Sequence, residues 1–310
     1  MMDQQCMDAI IKVILESNMS DLDILNVGIE PVTCEVDENG REQHTVHISL
    51  FDTMYCKSSL SQAWVAGNLL LFTAFDGYLE NTYHLTEGAS FKEHYNHLPE
   101  NTAMERVTKN CYRVFKLIRN GIQHNLSSVH YHSGSYGINY HYRNTHYGLQ
   151  ISKKGVSSLY TLVVNILQGE ISGMYGKYRT QGHYDGIMYM LYQNMENEIT
   201  QLTDDIGQGL LPVPGGLALR AAIRRPVENP KIIAEDESSI TFRHLEQNTT
   251  DDENSAQYGY STDYIYKDYL LPQELGCITK GQGGSFQERR KGATIRFPKN
   301  CLEDKWKLRQ

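Results

Sequence analysis

The stretch TAMERVTKNCYRVFKLIRN, residues 102–120, constrains this chain more than any other. Its apolar residues Val107, Cys111, Val114, Phe115 and Ile118 step by three or four, the period of a helix with one side against a core. Arg106, Lys109, Arg113 and Lys116 fill the remaining surface, so the helix is amphipathic and strongly basic. Such a helix needs other apolar faces to cover it. Residues 58–85 offer one through Leu60, Trp64, Leu71, Phe75, Tyr78, Leu79 and Tyr83, with Ser58, Ser59 and Ser61 as caps. Residues 152–168 offer another through Val156, Leu159, Leu162, Val163, Ile166 and Leu167. A fourth helix is expected over residues 184–204, whose Met and Tyr stripe reads as core rather than as a cofactor site.

The ends of the chain have a different character. Residues 5–16 have helical spacing. Residues 31–50 then place two β-type runs around Asn39-Gly40, which predicts a hairpin because both residues tolerate positive φ. GLLPVPGG at 209–216 reads as a loop or linker. Beyond it, short strands are expected at 238–245, 260–267 and 293–297, with an acidic polar loop at 246–257.

The chain has 310 residues, room for one large domain or two ordinary ones, and 40% hydrophobic content suffices for a core. The longest apolar patch, Leu69 to Phe72, is too short to span a bilayer. The start MMDQQCMDAI lacks the pattern of a signal peptide, so a cytoplasmic location away from membranes is expected. Cys6, Cys34, Cys56, Cys111, Cys277 and Cys301 are scattered with no C-x-x-C pair, which argues against a zinc ribbon and a redox motif. There is no Gly-rich phosphate loop, no serine-hydrolase elbow and no H-E-x-x-H. The net charge of −8 hides a strong segregation. Residues 1–60 hold eleven acidic and three basic side chains, residues 104–154 eight basic and one acidic, and residues 280–310 nine basic and three acidic. Local fields rather than the total decide whether a phosphate chain is attracted.

The helix over 102–120 runs into FKLIRNGIQHNLSS, where Arg119, Asn120 and His124 cluster. Metal-independent RNA cleavage needs a base for the 2′-hydroxyl, an acid for the leaving oxygen and a cation for the charge on phosphorus. Histidine suits the proton role because it titrates near neutral pH. Arginine suits the phosphate because its planar fork stays charged and binds two oxygens. Asparagine can orient either partner. Five residues on a straight helix are about 140° apart, so convergence is expected to need a helix end or kink, which Gly121 would permit. Surface punctuation, with His124 as a cap, is the competing explanation.

Arg119-Asn120-x-x-x-His124, lying between two amphipathic helices, resembles the R-x4-6-H motif of HEPN domains. The preceding segment AWVAGNLLLFTAFDGYLEN resembles the long first helix of such bundles, and the resemblance spans about residues 58–170. It implies a dimeric, metal-independent endoribonuclease of the toxin–antitoxin or antiviral abortive-infection kind, with no cofactor and with RNA and a possible antitoxin as partners. Arg119 would bind the scissile phosphate, His124 would move protons and Asn120 would support them. A polar residue of the first long helix would face the motif, Asp76 first and Glu80 next. Other members have lost activity and serve as binding modules, which is the alternative function. The bare arginine–histidine spacing is weak in a chain with twelve histidines; the asparagine, the helix end and the basic surroundings give it weight.

The segment VHYHSGSYGINYHYRNTHYG, residues 129–148, follows the motif. Packing of a hairpin-like loop on the helices, or across a dimer interface, is its plainest reading. Stacking on RNA is a second, with Tyr142 and Arg143 joined by Arg113, Lys116, Lys153 and Lys154 as RNA-binding candidates. A transition-metal site built from His130, His132, His141 and His146 is a third, although no carboxylate or cysteine in the insert would complete it. The expected fold is mainly α. An N-terminal helix and hairpin occupy residues 1–55, a HEPN-like helical bundle 56–205, and a small α+β region 206–310.

Overall fold

The computed structural model describes residues 64–171, 178–220, 224–244, 261–281 and 292–309, strands Val32–Val36 and Glu42–Val46, and the isolated positions Gln5, Ala9, Ile10 and Lys12. Of the helix expected over 5–16 only Gln5, Ala9, Ile10 and Lys12 are described, each helical, and the Asn39-Gly40 turn and the loop 246–257 lie outside the described residues. The chain forms two compact units that interleave in sequence: residues 1–25, 55–170 and 188–218 make the first, and 26–54, 171–187 and 219–310 the second.

The strands are β1 (Val32–Val36) and β2 (Glu42–Val46), and the first helix is α1 (Trp64–Tyr83). Then come α2 (Phe91–His97), α3 (Ala103–His124), β3 (Val129–His132), β4 (Ser135–Tyr142), β5 (Thr145–Ser152), α4 (Lys153–Gln168), α5 (Gln181–Asn197) and β6 (Ile199–Thr203). The C-terminal strands are β7 (Arg224–Val227), β8 (Ile232–Glu235), β9 (Ser239–Arg243), β10 (Ser261–Tyr266), β11 (Tyr269–Pro272), β12 (Cys277–Thr279) and β13 (Thr294–Pro298).

In the first unit, α1 packs on α3 and α4. Leu71, Phe75 and Leu79 from α1 meet a buried row from α3 (Val107, Cys111, Phe115) and one from α4 (Leu159, Val163). Local chemistry fixes where these helices begin. Thr102 caps α3 and Glu105 returns a bond to the Thr102 amide, a capping box that satisfies donors left open at a helix start. Ser90 and Glu93 repeat the device at α2, and the Ser152 hydroxyl caps α4. Gly169 ends α4 at φ 65°, a left-handed conformation that glycine adopts without steric cost. The insert 129–148 is no loop. It forms β3, β4 and the first half of β5, and with β6 makes an antiparallel sheet in the order β3-β4-β5-β6.

The second unit holds a five-stranded mixed sheet, β11-β10-β7-β1-β2, and a four-stranded antiparallel sheet, β12-β13-β9-β8. Phe242, Tyr264 and Phe297 join the two, with the Phe242 and Tyr264 rings 5.5 Å apart and parallel. Arg224, fully buried, grips Asp263 through both Nε and Nη2 and also reaches Glu274. Burial alone would raise the Asp263 carboxyl, but the Arg224 guanidinium outweighs it and holds the group well below the carboxylate range. Gly182 lies flat under Trp306, where a Cβ would sit 2.4 Å from the indole ring.

The mainly α expectation is corrected. Of the described residues 45% are helical and 28% are in strands, so the fold is α+β. The error has a physical source. Tyr136, Ile138 and Tyr140 alternate with Gly137 and Asn139 at the two-residue period of a strand, with the insert's tyrosines on one face and its histidines on the other, but both side chains are part polar and part apolar, which weakens the polar–apolar contrast on which that reading depends. No helix among the described residues is long and apolar enough to cross a membrane.

Candidate functional site

Helix α3 does not end at Gly121. It runs unbroken to His124, and the Asn125 amide closes its last turn on the Gly121 carbonyl. The glycine has a packing reason instead. A Cβ there would meet Ile138 Cγ2 at 3.0 Å and Val129 Cγ2 at 3.1 Å, so the residue lets β3 and β4 lie against the helix. Arg119 and His124 converge nonetheless. The long arginine side chain covers the angle between them, and Arg119 Nη1 lies 2.9 Å from Asn120 Oδ1 and 3.4 Å from His124 Nε2. Its guanidinium also sits 5.8 Å from the centre of the Phe72 ring, a cation–π contact that fixes the approach. His124 is exposed, while Arg119 and Asn120 are half-buried.

Asn120 lies beside the Tyr140 hydroxyl where the helix meets the sheet. The Tyr140 ring stacks on its cross-strand neighbour Tyr147, with centres 4.9 Å apart. Burial, then the neighbouring Tyr147, pushes the Tyr140 phenol up to about 12, so it remains protonated near neutral pH. Sequence reasoning missed this tyrosine as a neighbour of Asn120. The available signal was its two-residue step from Ile138.

Asp76 and Glu80 belong to an adjoining cluster. The Tyr112 hydroxyl donates to Asp76 Oδ1 at 2.5 Å and contacts His94 Nδ1 at 3.2 Å. His94 Nε2 donates to the Thr86 carbonyl at 2.8 Å and lies 3.8 Å from Glu80. Asp76, Glu80 and His94 are the one group of three potential metal ligands gathered among the described residues. Both nitrogens of His94 already have protein partners, so the cluster reads as a hydrogen-bonded tie between α1, α2 and α3. Burial, with repulsion from Asp76, raises the Glu80 carboxyl. Tyr112 links this cluster electrostatically to Arg119, which lies two turns along the same side of α3.

The RNA-binding candidates separate into two sets. Arg113 is 3% exposed and holds Asp204 with Nε at 3.1 Å and Nη2 at 2.7 Å, while also donating to the Gly207 and Gly209 carbonyls. Lys116 is buried, pairs with Asp205 at 2.9 Å and lies 4.2 Å from the Phe91 ring centre. Lys109 is buried against Glu100. These cations therefore face the interior rather than a phosphate chain. Lys154 is exposed, 3.5 Å from Glu198, and Lys153 is exposed. Tyr142 and Arg143 stand exposed at the β4–β5 turn, with the guanidinium 5.1 Å from the ring centre.

The four histidines of the insert do not converge on one point. His141 stands opposite His146, their rings 4.9 Å apart, and His146 Nε2 bonds Asn139. His130 and His132 pair with Gly137 and Ser135, four and six residues back along β4 from His141. At ~3.3 Å per residue that is ~13 and ~20 Å, beyond the reach of a shared metal ion.

The fold and site together define an α+β protein that carries a cation–amide–imidazole cluster on an accessible helix end. Compared with protein-family models, curated proteins and solved structures, the chain finds no match. The resemblance over residues 58–170 therefore rests on the residues themselves.

Proposed function

We propose that the chain is a metal-independent endoribonuclease whose active centre is Arg119, Asn120 and His124. One observation carries the reading: Arg119 Nη1 approaches His124 Nε2 to 3.4 Å while Asn120 Oδ1 anchors the same guanidinium nitrogen. An arginine has only donors, so the imidazole nitrogen facing it presents a lone pair, the form a general base needs. A phosphodiester bound at the guanidinium would bring its 2′-hydroxyl within range of that nitrogen. His124 takes the proton as O2′ bonds to phosphorus and the bond from phosphorus to O5′ breaks, leaving a 2′,3′-cyclic phosphate and a 5′-hydroxyl. In-line attack sets O2′ and O5′ on opposite sides of phosphorus, so water or the same cluster of a second copy protonates O5′. Asn120, accepting from Arg119, keeps the guanidinium in place as charge builds on the phosphoryl oxygens. A defence or toxin role, with a homodimer and a regulatory antitoxin, belongs to the same proposal through the HEPN resemblance.

The test is RNA cleavage in EDTA. Wild type is expected to cut. His124→Ala loses about 10²–10⁴ in rate, the usual contribution of a general base, and Arg119→Ala loses a comparable factor through the phosphate. Unchanged melting temperatures would show that the losses are chemical. Variants that cut at the wild-type rate would remove the proposal.

A further inference from the structure

The β4–β5 turn carries an exposed aromatic that the packing of the first unit does not use. Tyr136, Ile138, Tyr140 and Tyr142 lie on one face of β4, two residues apart. Ile138 is buried against Gly121, and Tyr140 touches Asn120. Tyr142 is next in the row, ~6.6 Å further along the strand at ~3.3 Å per residue, and it is 54% exposed. The row thus runs from half-buried Tyr136 through buried Ile138, passes the Arg119–Asn120–His124 cluster and ends in solvent. Arg143, beside it, has no carboxylate partner among the described residues and holds its guanidinium near the Tyr142 ring. Arg143 and Asn144 both have positive φ, 47° and 62°, as a two-residue hairpin turn demands. Glycine fits such a turn with least strain, yet the chain keeps a cationic side chain there.

We propose that Tyr142 and Arg143 form a stacking subsite for one unpaired base of RNA, next to the nucleotide whose phosphate lies at Arg119. This rests on the ribonuclease reading. The Tyr142 ring offers its face to a base, and Arg143 meets the phosphate that joins this nucleotide to the next. An aromatic face accepts any base, so the subsite selects single-stranded RNA rather than a sequence. It gives the Arg119–His124 cluster what a phosphate clamp alone lacks, a means of preferring an unpaired strand over a duplex whose bases are already stacked.

Binding can be read separately from cutting in the non-cleaving His124→Ala background. Fluorescence anisotropy is measured with labelled oligouridine and oligoadenine eight-mers and with a duplex RNA of the same length. Tyr142→Ala is expected to weaken binding of both single strands about tenfold, the loss of one stacked base, while Tyr142→Phe retains it. Arg143→Ala should lower affinity and reduce the salt slope by about one ion. Duplex binding should change little with either. Equal affinity of Tyr142→Ala and its parent, equal loss for Phe and Ala, or a parent that binds no single strand overturns the subsite. Wild type that never cuts, combined with Tyr142-dependent single-strand binding, leaves the subsite standing and removes the nuclease. Cutting without Tyr142 dependence does the reverse.

Discussion

Two stretches of one helix put arginine to opposite uses. Over its first four turns α3 presents Lys109, Arg113 and Lys116, each buried and each paired with a carboxylate, from Glu100, Asp204 and Asp205. In its last turns it presents Arg119, whose partners are an amide oxygen and an imidazole. Buried cations need carboxylates because an unpaired charge in a low-dielectric interior is very costly. An accessible cation needs none and stays available for an anionic ligand. Basic residues in sequence are therefore not basic surface. The excess counted over residues 104–154 is largely answered by acids outside that window, and Arg119 and Arg143 are what it leaves near the candidate site.

The difference predicts opposite consequences for equivalent substitutions. Arg113→Ala strands a buried Asp204 and should cost about 3–5 kcal/mol, read as a lower midpoint in urea. Replacing the pair together, Arg113→Met with Asp204→Leu, should recover most of that loss. Arg119→Ala leaves no buried carboxylate unpaired and should lower the same midpoint by no more than about 1 kcal/mol, the net worth of a hydrogen bond. If Arg119→Ala proves as destabilising as Arg113→Ala, the contrast disappears.

Smaller changes sharpen the contact between helix and sheet on which the exposed cluster depends. Gly121→Ala adds a methyl group where Ile138 and Val129 already press close, and overpacking of this sort costs about 1–3 kcal/mol. The better helix propensity of alanine returns at most about 1 kcal/mol. A net fall in thermal stability is expected, relieved in part by Ile138→Val.

The smallest effect belongs to Glu80. Its carboxyl is raised by burial and by Asp76, so its neutral form is favoured by folding. The stability from that preference is complete below the unfolded value of ~4.3 and is lost as pH rises through the folded one. Glu80→Gln should therefore be more stable than wild type at neutral pH. That advantage should shrink to nothing in acid. Denaturation curves at pH 7 and below pH 4 measure it.

Much of this was legible in the sequence where a periodic signal met a local stop. Thr102 and Glu105 start α3 where the apolar stripe begins, and the helix expected over 152–168 is Lys153–Gln168. The strands expected at 238–245, 260–267 and 293–297 are Ser239–Arg243, Ser261–Tyr266 and Thr294–Pro298. The expected helix 184–204 stops at Asn197 and gives way to β6, because Ile199 and Leu202 pair with β5, a long-range partner invisible in a local window. Gly121 was recognisable as special, but its cause was not: what it accommodates lies eight and seventeen residues later, on β3 and β4. The fate of Arg113 was hidden for the same reason, since Asp204 is ninety-one residues away. The meeting of Arg119 with His124 follows from the helix and the length of one side chain, so the candidate site could be read more readily than the sheet that supports it.

The central claim is that Arg119 and His124 act together on one phosphodiester without a metal ion. The most direct measurement is the chemical form of RNA ends produced by the purified protein in EDTA, compared with Arg119→Ala and His124→Ala. The account predicts 2′,3′-cyclic phosphates and 5′-hydroxyls from the wild type, and near loss of both products in each variant. Cleavage that requires added metal, or that persists unchanged in both variants, would contradict it.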